Sequence, residues 1–272
     1  EMQRSLVGSE MCIRDSYEFI QEEMKKYNSI IDELKLEGCS VCKDEISFKE
    51  ADGYMCKINQ EEIFTRIKLF KDNEFIMEIS PREIQGSYHS IKFAKGKVGV
   101  VGLGLGYAVQ EIAKNSRVDE IIVYEISEEI IDVYNRHFKD NPKIRIINKD
   151  AYKAEREKFD FFFVDIYGYE ITSKVVEDYK KFNALHEIEE YTFWGVEHFL
   201  LSCKYDDLLW IFIPEIWVEM SKKAYESMDM CGLMKSYKPL DDELATSILM
   251  EFKPILNLSL IHISEPTRLR CI

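Results

Sequence analysis

The chain has 272 residues, 46% of them apolar and 12% aromatic, enough for one large core with a smaller appendage. Acidic residues outnumber basic ones 50 to 36, a net charge of −14, which argues against avid binding to nucleic acid or anionic membranes and leaves small molecules and proteins as partners. No apolar run approaches the roughly 18 residues that would cross a bilayer, and irregularly spaced cysteines without a signal peptide predict reduced thiols in a cytoplasmic protein.

Ser5 to Ser16 resembles translated sequencing-adapter sequence, and Leu258 to Leu269 resembles its counterpart at the other end. The chain also begins with Glu1. The expectation is a metagenomic gene fragment read into adapter on both sides. Residues 1–16 and 258–272 are therefore set apart as tails, and Cys12, His262 and Cys271 are given no function. Cys39, Cys42 and Cys56 supply too few soft ligands for a structural zinc, so no metal is expected.

Tyr17 to Leu36 predicts a helix, with Phe19, Ile20, Met24, Tyr27, Ile30, Ile31 and Leu34 at three- and four-residue steps and Gly38 as its stop. Ile63–Phe70 and Glu74–Ile79 predict a hairpin around a three-residue loop, Lys71 to Asn73, ended by Pro81. Residues 17–95 are read as a small α/β appendage. The main domain is placed at 96–257.

There, Val98–Val101 predicts a strand and Gly102, Gly104 and Gly106 a tight turn. Tyr107 to Lys114 predicts a helix whose N-terminal amides face the strand's carboxyl end. Ile121–Tyr124 predicts the second strand. Ser127 caps the next helix, with Ile130, Ile131, Val133, Tyr134 and Phe138 on its buried side. Ile144–Ile147 predicts the third strand, and wholly apolar Phe161–Val164 an interior fourth. Further on, Ile171–Phe182 reads as a helix, Tyr191–Val196 as a fifth strand and His198 to Cys203 as a helix start. Leu208–Ile213 reads as strand-like and Ile216–Met228 as helical. Strands alternating with helices predict a Rossmann-like three-layer α/β sandwich, a mostly parallel sheet with helices on both faces.

A G-x-G-x-G turn alone says only that backbone approaches closely at that point. The acids say more. Glu125 ends the second strand, where a carboxylate accepts both hydroxyls of a ribose. Asp150 follows the third strand and Asp165 the fourth. Asp150 is placed for an adenine amino group, and Asp165 for the reacting centre. A dinucleotide fingerprint would need a further glycine at Tyr107 or Val109, so the spacing disfavours a pyrophosphate.

With those residues quoted, 96–168 resembles the cofactor half of a class I S-adenosylmethionine-dependent methyltransferase, and in detail the spermidine-synthase-like branch. The resemblance implies Gly102, Gly104 and Gly106 under the methionine moiety, Glu125 on the ribose, Ile126 on the adenine face and Asp150 with Ala151 at the adenine. It also implies S-adenosyl-L-methionine as cofactor. Departures turn the reading from polyamine synthesis. Leu105 stands where aminopropyltransferases have an acid, Gly168 where they have a second aspartate, and Ser90 follows Tyr88-His89 in place of glutamate. No Asn/Asp-Pro-Pro-Tyr motif follows the fourth strand, so base-amino methylation lacks its usual support.

The expected activity is methyl transfer to a small-molecule or protein acceptor, with Asp165 positioning or deprotonating it. The alternatives are an aminopropyltransferase or a non-catalytic binding module. Tyr167, Tyr169 and Trp194 either line the acceptor pocket or fill core, and His89 is the histidine singled out for testing. Oligomeric state is not legible.

Overall fold

The computed structural model describes residues 17–47, 63–230 and 232–263. Residues 5–16, with Cys12, and also Glu1, Cys56 and Cys271 lie outside the described residues. The chain forms two sheets: an antiparallel four-stranded one in the order β1-β2-β3-β4, and a parallel five-stranded one in the order β7-β6-β5-β8-β9.

Helix α1 (Tyr17–Ile30) is shorter than its periodicity predicts, because Leu34–Leu36 leaves the helix and becomes β1. Leu36 pairs with Cys39 at the start of β2 (Cys39–Ser47), so Glu37-Gly38 turns a hairpin instead of stopping a helix. Strands β3 (Ile63–Lys71) and β4 (Glu74–Ile79) form the predicted second hairpin. Its loop has two residues, not three. Asp72 and Asn73 both adopt left-handed φ (51° and 65°), the primed-turn geometry that matches strand twist and that short Asx side chains tolerate.

Pro81 ends nothing. It opens helix α2 (Pro81–Phe93), where its fixed φ suits the first helical turn and its missing N–H costs no bond. This helix escapes a reading by periodicity because its polar residues are inside: Glu83, Gln85, Ser87, His89 and Ser90 are all buried.

The parallel sheet follows the predicted order. Strand β5 (Gly96–Val101) leads through α3 (Tyr107–Lys114) to β6 (Val118–Glu125), and α4 (Glu128–His137) leads to β7 (Ile144–Asn148). Ser127 Oγ accepts the Ile130 amide, as its capping role requires. Ile130, Val133 and Tyr134 are buried, while Ile131 and Phe138 pack half-buried against the core. The chain then crosses beneath β5 to β8 (Lys158–Val164) and passes through α5 (Lys174–Leu185) to β9 (Glu187–Phe193). Crossovers of one hand that run first one way and then the other put α3 and α4 on one face and α5 on the opposite face. Strand β8 is interior, paired with β5 and β9, which is why its face-to-face Phe run needs no polar alternation. The reversal of direction leaves a crevice between the carboxyl ends of β5 and β8, the switch point where ligands bind such sheets.

Beyond β9, α6 (Val196–Ser202), short α7 (Tyr205–Leu208), α8 (Glu215–Met230) and α9 (Asp242–Ile263) complete the described chain. The strand-like run Leu208–Ile213 forms no strand. Ile211 is buried, but Leu209, Trp210 and Phe212 face solvent, and the backbone closes on itself in turns, with the Leu209 amide on the Tyr205 carbonyl and the Ile211 amide on the Leu208 carbonyl. Phe193, Phe199, Trp217 and Phe252 build an aromatic cluster where β9 meets these helices, and Trp217 Nε1 donates to the Tyr191 carbonyl at 2.6 Å. No described helix is long and apolar enough to cross a membrane.

Candidate functional site

A cavity of about 350 Å³ opens at the switch point, within the size range of small-ligand sites. Its floor is the turn Gly102, Leu103 and Gly104. Glu125 and Asp165 stand at the strand ends, and Phe75, Ile76 and Met77 of β4 form the opposite wall. Glu83 reaches in from α2, and Gly168 and Tyr169 from the loop after β8.

The turn is held by close approach. Gly102 has φ 94°, and a Cβ there would overlap the Asp165 carbonyl oxygen. Gly104 has φ 51°, and a Cβ there would overlap Met77 Sδ. At Gly102 the obstacle is backbone, which cannot give way, and at both positions the left-handed φ favours glycine. Gly106 is the N-cap of α3, backed by Tyr134 at 2.6 Å from where its Cβ would be.

Glu125 is 7% exposed and organises the floor. One carboxylate oxygen accepts the Leu103 amide at 3.0 Å, and the other accepts the Ser127 amide at 2.8 Å. Each oxygen keeps a lone pair for a ligand hydroxyl. Asp165 is half-buried beneath Gly102, and burial pushes its carboxyl up to about 7. Glu83 is 2% exposed and accepts the Ser87 hydroxyl at 2.9 Å. Burial first, and then the charge of Asp165, pushes its carboxyl well above the usual range. Two acids facing one cavity cannot both ionise cheaply, so one proton is held there near neutral pH. Arg82, next to Glu83, does not neutralise them. Its guanidinium donates to the Tyr169 carbonyl and lies over the Tyr169 and Trp194 rings. Among the described residues no lysine or arginine lines this cavity.

Other residues singled out in the sequence lie elsewhere. Asp150 accepts the Tyr152 amide at 3.0 Å and pairs with Lys153, which holds its carboxyl below the usual range; it caps a short 3-10 turn and does not line the cavity. Ala151, the first residue of that turn, is buried. Ile126 is 72% exposed just beyond the carboxyl end of β6, beside the cavity and not in its wall. Tyr167 and Trp194 are core: Tyr167 packs on Phe193, and Trp194 lies against Gly86 of α2. Tyr169 lines the cavity. His89 is buried in α2, 3.2 Å from Glu197 of α6, and does not line the cavity. Among the described residues no cluster of His, Cys, Asp or Glu is arranged to hold a metal ion.

Sequence reasoning missed Glu83 and the β4 wall of Phe75, Ile76 and Met77. Glu83 carried no strand-end signal, and Met77 sat in a hairpin read only as support. Pro81 at a first helical position was the available clue to the helix that delivers Glu83.

No family model matches the chain, and no curated protein does. Among solved structures, the 23S rRNA methyltransferase ErmE is similar over 39% of this chain and 43% of its own, at 20% identity and a TM-score of 0.31. Spermidine synthase from Thermotoga maritima is similar over 60% and 55%, at 15% identity and a TM-score of 0.35. An S-adenosylmethionine-dependent methyltransferase from Clostridium acetobutylicum ATCC 824 is similar over 40% and 48%, at 14% identity and a TM-score of 0.31. The matched part thus spans about half the length of each of these structures.

Proposed function

We propose that the chain is an S-adenosyl-L-methionine-dependent methyltransferase acting on a small-molecule or protein acceptor. The observation that carries this reading is the acidity of the cavity: three acidic side chains, Glu83, Glu125 and Asp165, which keep a negative field with one proton shared by Glu83 and Asp165, and no cation among the described lining residues. A dinucleotide or nucleotide would bring phosphates into that field and meet like charge. A ligand with a ribose and a net positive charge suits it. The cofactor supplies, when bound, an electrophilic methyl group on a cationic sulfur. Glu125 is placed to accept ribose hydroxyls, and the bare turn Gly102–Gly104 lets a ligand lie on the backbone. Asp165 and Glu83, sharing one proton, would supply a counter-charge for a cationic ligand in the cavity. Asp165, held near neutrality, takes up the proton that an acceptor sheds on attack. Nothing lies within 4 Å of where a Cβ on Gly168 would be, so the acceptor side has room.

A second reading draws on Glu83. A buried acid beside Asp165 also suits a cationic amine, which favours an aminopropyltransferase more than the sequence did. An assay with putrescine and the decarboxylated cofactor separates the two. Product formation would replace the methyltransferase reading.

Titration calorimetry of the full chain with S-adenosylmethionine tests the binding directly. Glu125→Ala should weaken it by about 1–3 kcal/mol, the scale of hydrogen bonds to a charged group. A cationic ligand lowers the carboxyls of the acid pair, so binding should release protons and tighten as pH rises through 7. The neutral thioether product should show a flatter profile. No binding by the folded chain would leave a non-catalytic module as the better description.

A further inference from the structure

The amides of the glycine turn are unequally satisfied. The Gly102 amide donates to the Tyr124 carbonyl, Leu103 to the Glu125 carboxylate and Gly106 to the Leu103 carbonyl. These are full-strength acceptors. The Leu105 amide instead donates to Met77 Sδ at 3.0 Å. A thioether is a weak acceptor, so this N–H has the poorest partner of the four. The same sulfur lies so close over Gly104 that a Cβ there would overlap it. Met77 thus covers the stretch of backbone on which a ligand's charged tail would rest, and it is itself half-buried at the cavity wall.

We propose that Met77 is a displaceable gate over the glycine turn, which must swing off the Leu105 amide before a ligand bearing a carboxylate tail can seat there. The inference rests on the adenosyl reading of the cavity and adds a specificity-determining residue to it. An unbranched side chain with three rotors swings at small cost. A carboxylate that replaces the sulfur makes a charge-assisted bond to the same N–H. While the gate is closed, a tail-bearing ligand sees only the open fraction of the protein, and its apparent affinity falls by that fraction. A ligand with the same adenosine but no amino-acid tail is indifferent to the gate.

Calorimetry of the whole 272-residue chain with S-adenosylmethionine, its thioether product and 5′-methylthioadenosine reads this out. Met77→Ala should tighten the two tail-bearing ligands by roughly 5–20-fold, the inverse of a small open fraction. It should leave 5′-methylthioadenosine within about twofold. Met77→Leu keeps the bulk over the turn and should gain nothing. In the unaltered protein labelled with 13C-methyl methionine, the Met77 methyl resonance should shift on adding S-adenosylmethionine or its thioether product and stay in place with 5′-methylthioadenosine, a readout that needs no variant to fold. If Met77→Ala shifts all three ligands alike, or weakens the tail-bearing pair, Met77 is only wall and the gate is overturned while the adenosyl reading stands. If none of the three binds either protein, the adenosyl reading fails and the gate fails with it.

Discussion

In the parallel sheet, β8 carries Phe159, Phe161, Phe162, Phe163 and Val164, none of them exposed to solvent. In the antiparallel sheet, β3 carries Arg66 and Lys68, which pair at 2.7 Å with Asp44 of β2, and Arg66 also reaches Glu78 of β4 at 3.2 Å. One sheet is buried on both faces and is held by dispersion and exclusion of water. The other keeps a wet, charged face and contributes one apolar side to the core through Ile67, Leu69 and Ile79. Both line the same cavity. The first supplies its fixed floor, and the second supplies a wall held by that single apolar side and by polar ties, Lys71 to Ser127 and Glu129 among them. Stability is therefore concentrated beneath the cavity, and adaptability above it.

The largest expected effect is on the dry side. Phe162→Ala should cost about 3–5 kcal/mol in urea unfolding, since the ring is fully enclosed and packs on Phe159, Phe182 and Tyr191. A loss below about 1 kcal/mol would remove the contrast between the sheets.

Next comes the junction of the two regions, where Asp165 sits. Its carboxyl rises from 3.8 in the unfolded chain to about 7 in the fold, so between those values the folded state binds the extra proton. Stability should therefore be greatest on the acid side of this window and fall as pH rises through 7, by up to about 4 kcal/mol for a shift of this size. Asp165→Asn should flatten that slope in unfolding measured from pH 4 to 8. An unchanged slope would place the proton elsewhere.

The smallest effect belongs to the wet face. Arg66→Ala should cost only about 0.2–1 kcal/mol and lose even that at high salt, as partly exposed ion pairs do. A larger, salt-insensitive loss would show that the charged ladder holds the small sheet together.

The same contrast governs what could be read in advance. The turn Gly102–Gly106, the helix Tyr107–Lys114 and the strand-end acids Glu125 and Asp165 were legible because their chemistry is local: glycine at the turn, a change of period, an acid at a fixed place. Strand β8 was legible because nothing but a doubly covered strand accommodates that much Phe. Helix α2 was not, since Glu83, Gln85, Ser87, His89 and Ser90 are polar residues that tertiary packing buries, and periodicity assigns such residues to solvent. The run Leu208–Ile213 misled in the opposite sense: its backbone closes in turns, and Leu209, Trp210 and Phe212 face water. Met77 could not be assigned at all. Its position over Gly104 depends on how one sheet lies against the other, which no local pattern encodes.

Tyr169 has a consequence beyond lining the cavity. It adopts φ 69°, and its phenol both accepts the Glu78 amide at 2.8 Å and donates to the Glu78 carbonyl at 2.7 Å. Strand β4 is the last of its sheet, so those two groups point away from β3, where an incoming chain would pair. The phenol occupies that outward edge position as a further strand would, using one oxygen for both bonds. The loop that shapes the cavity thus also blunts an open sheet edge, the kind of surface through which folded proteins aggregate.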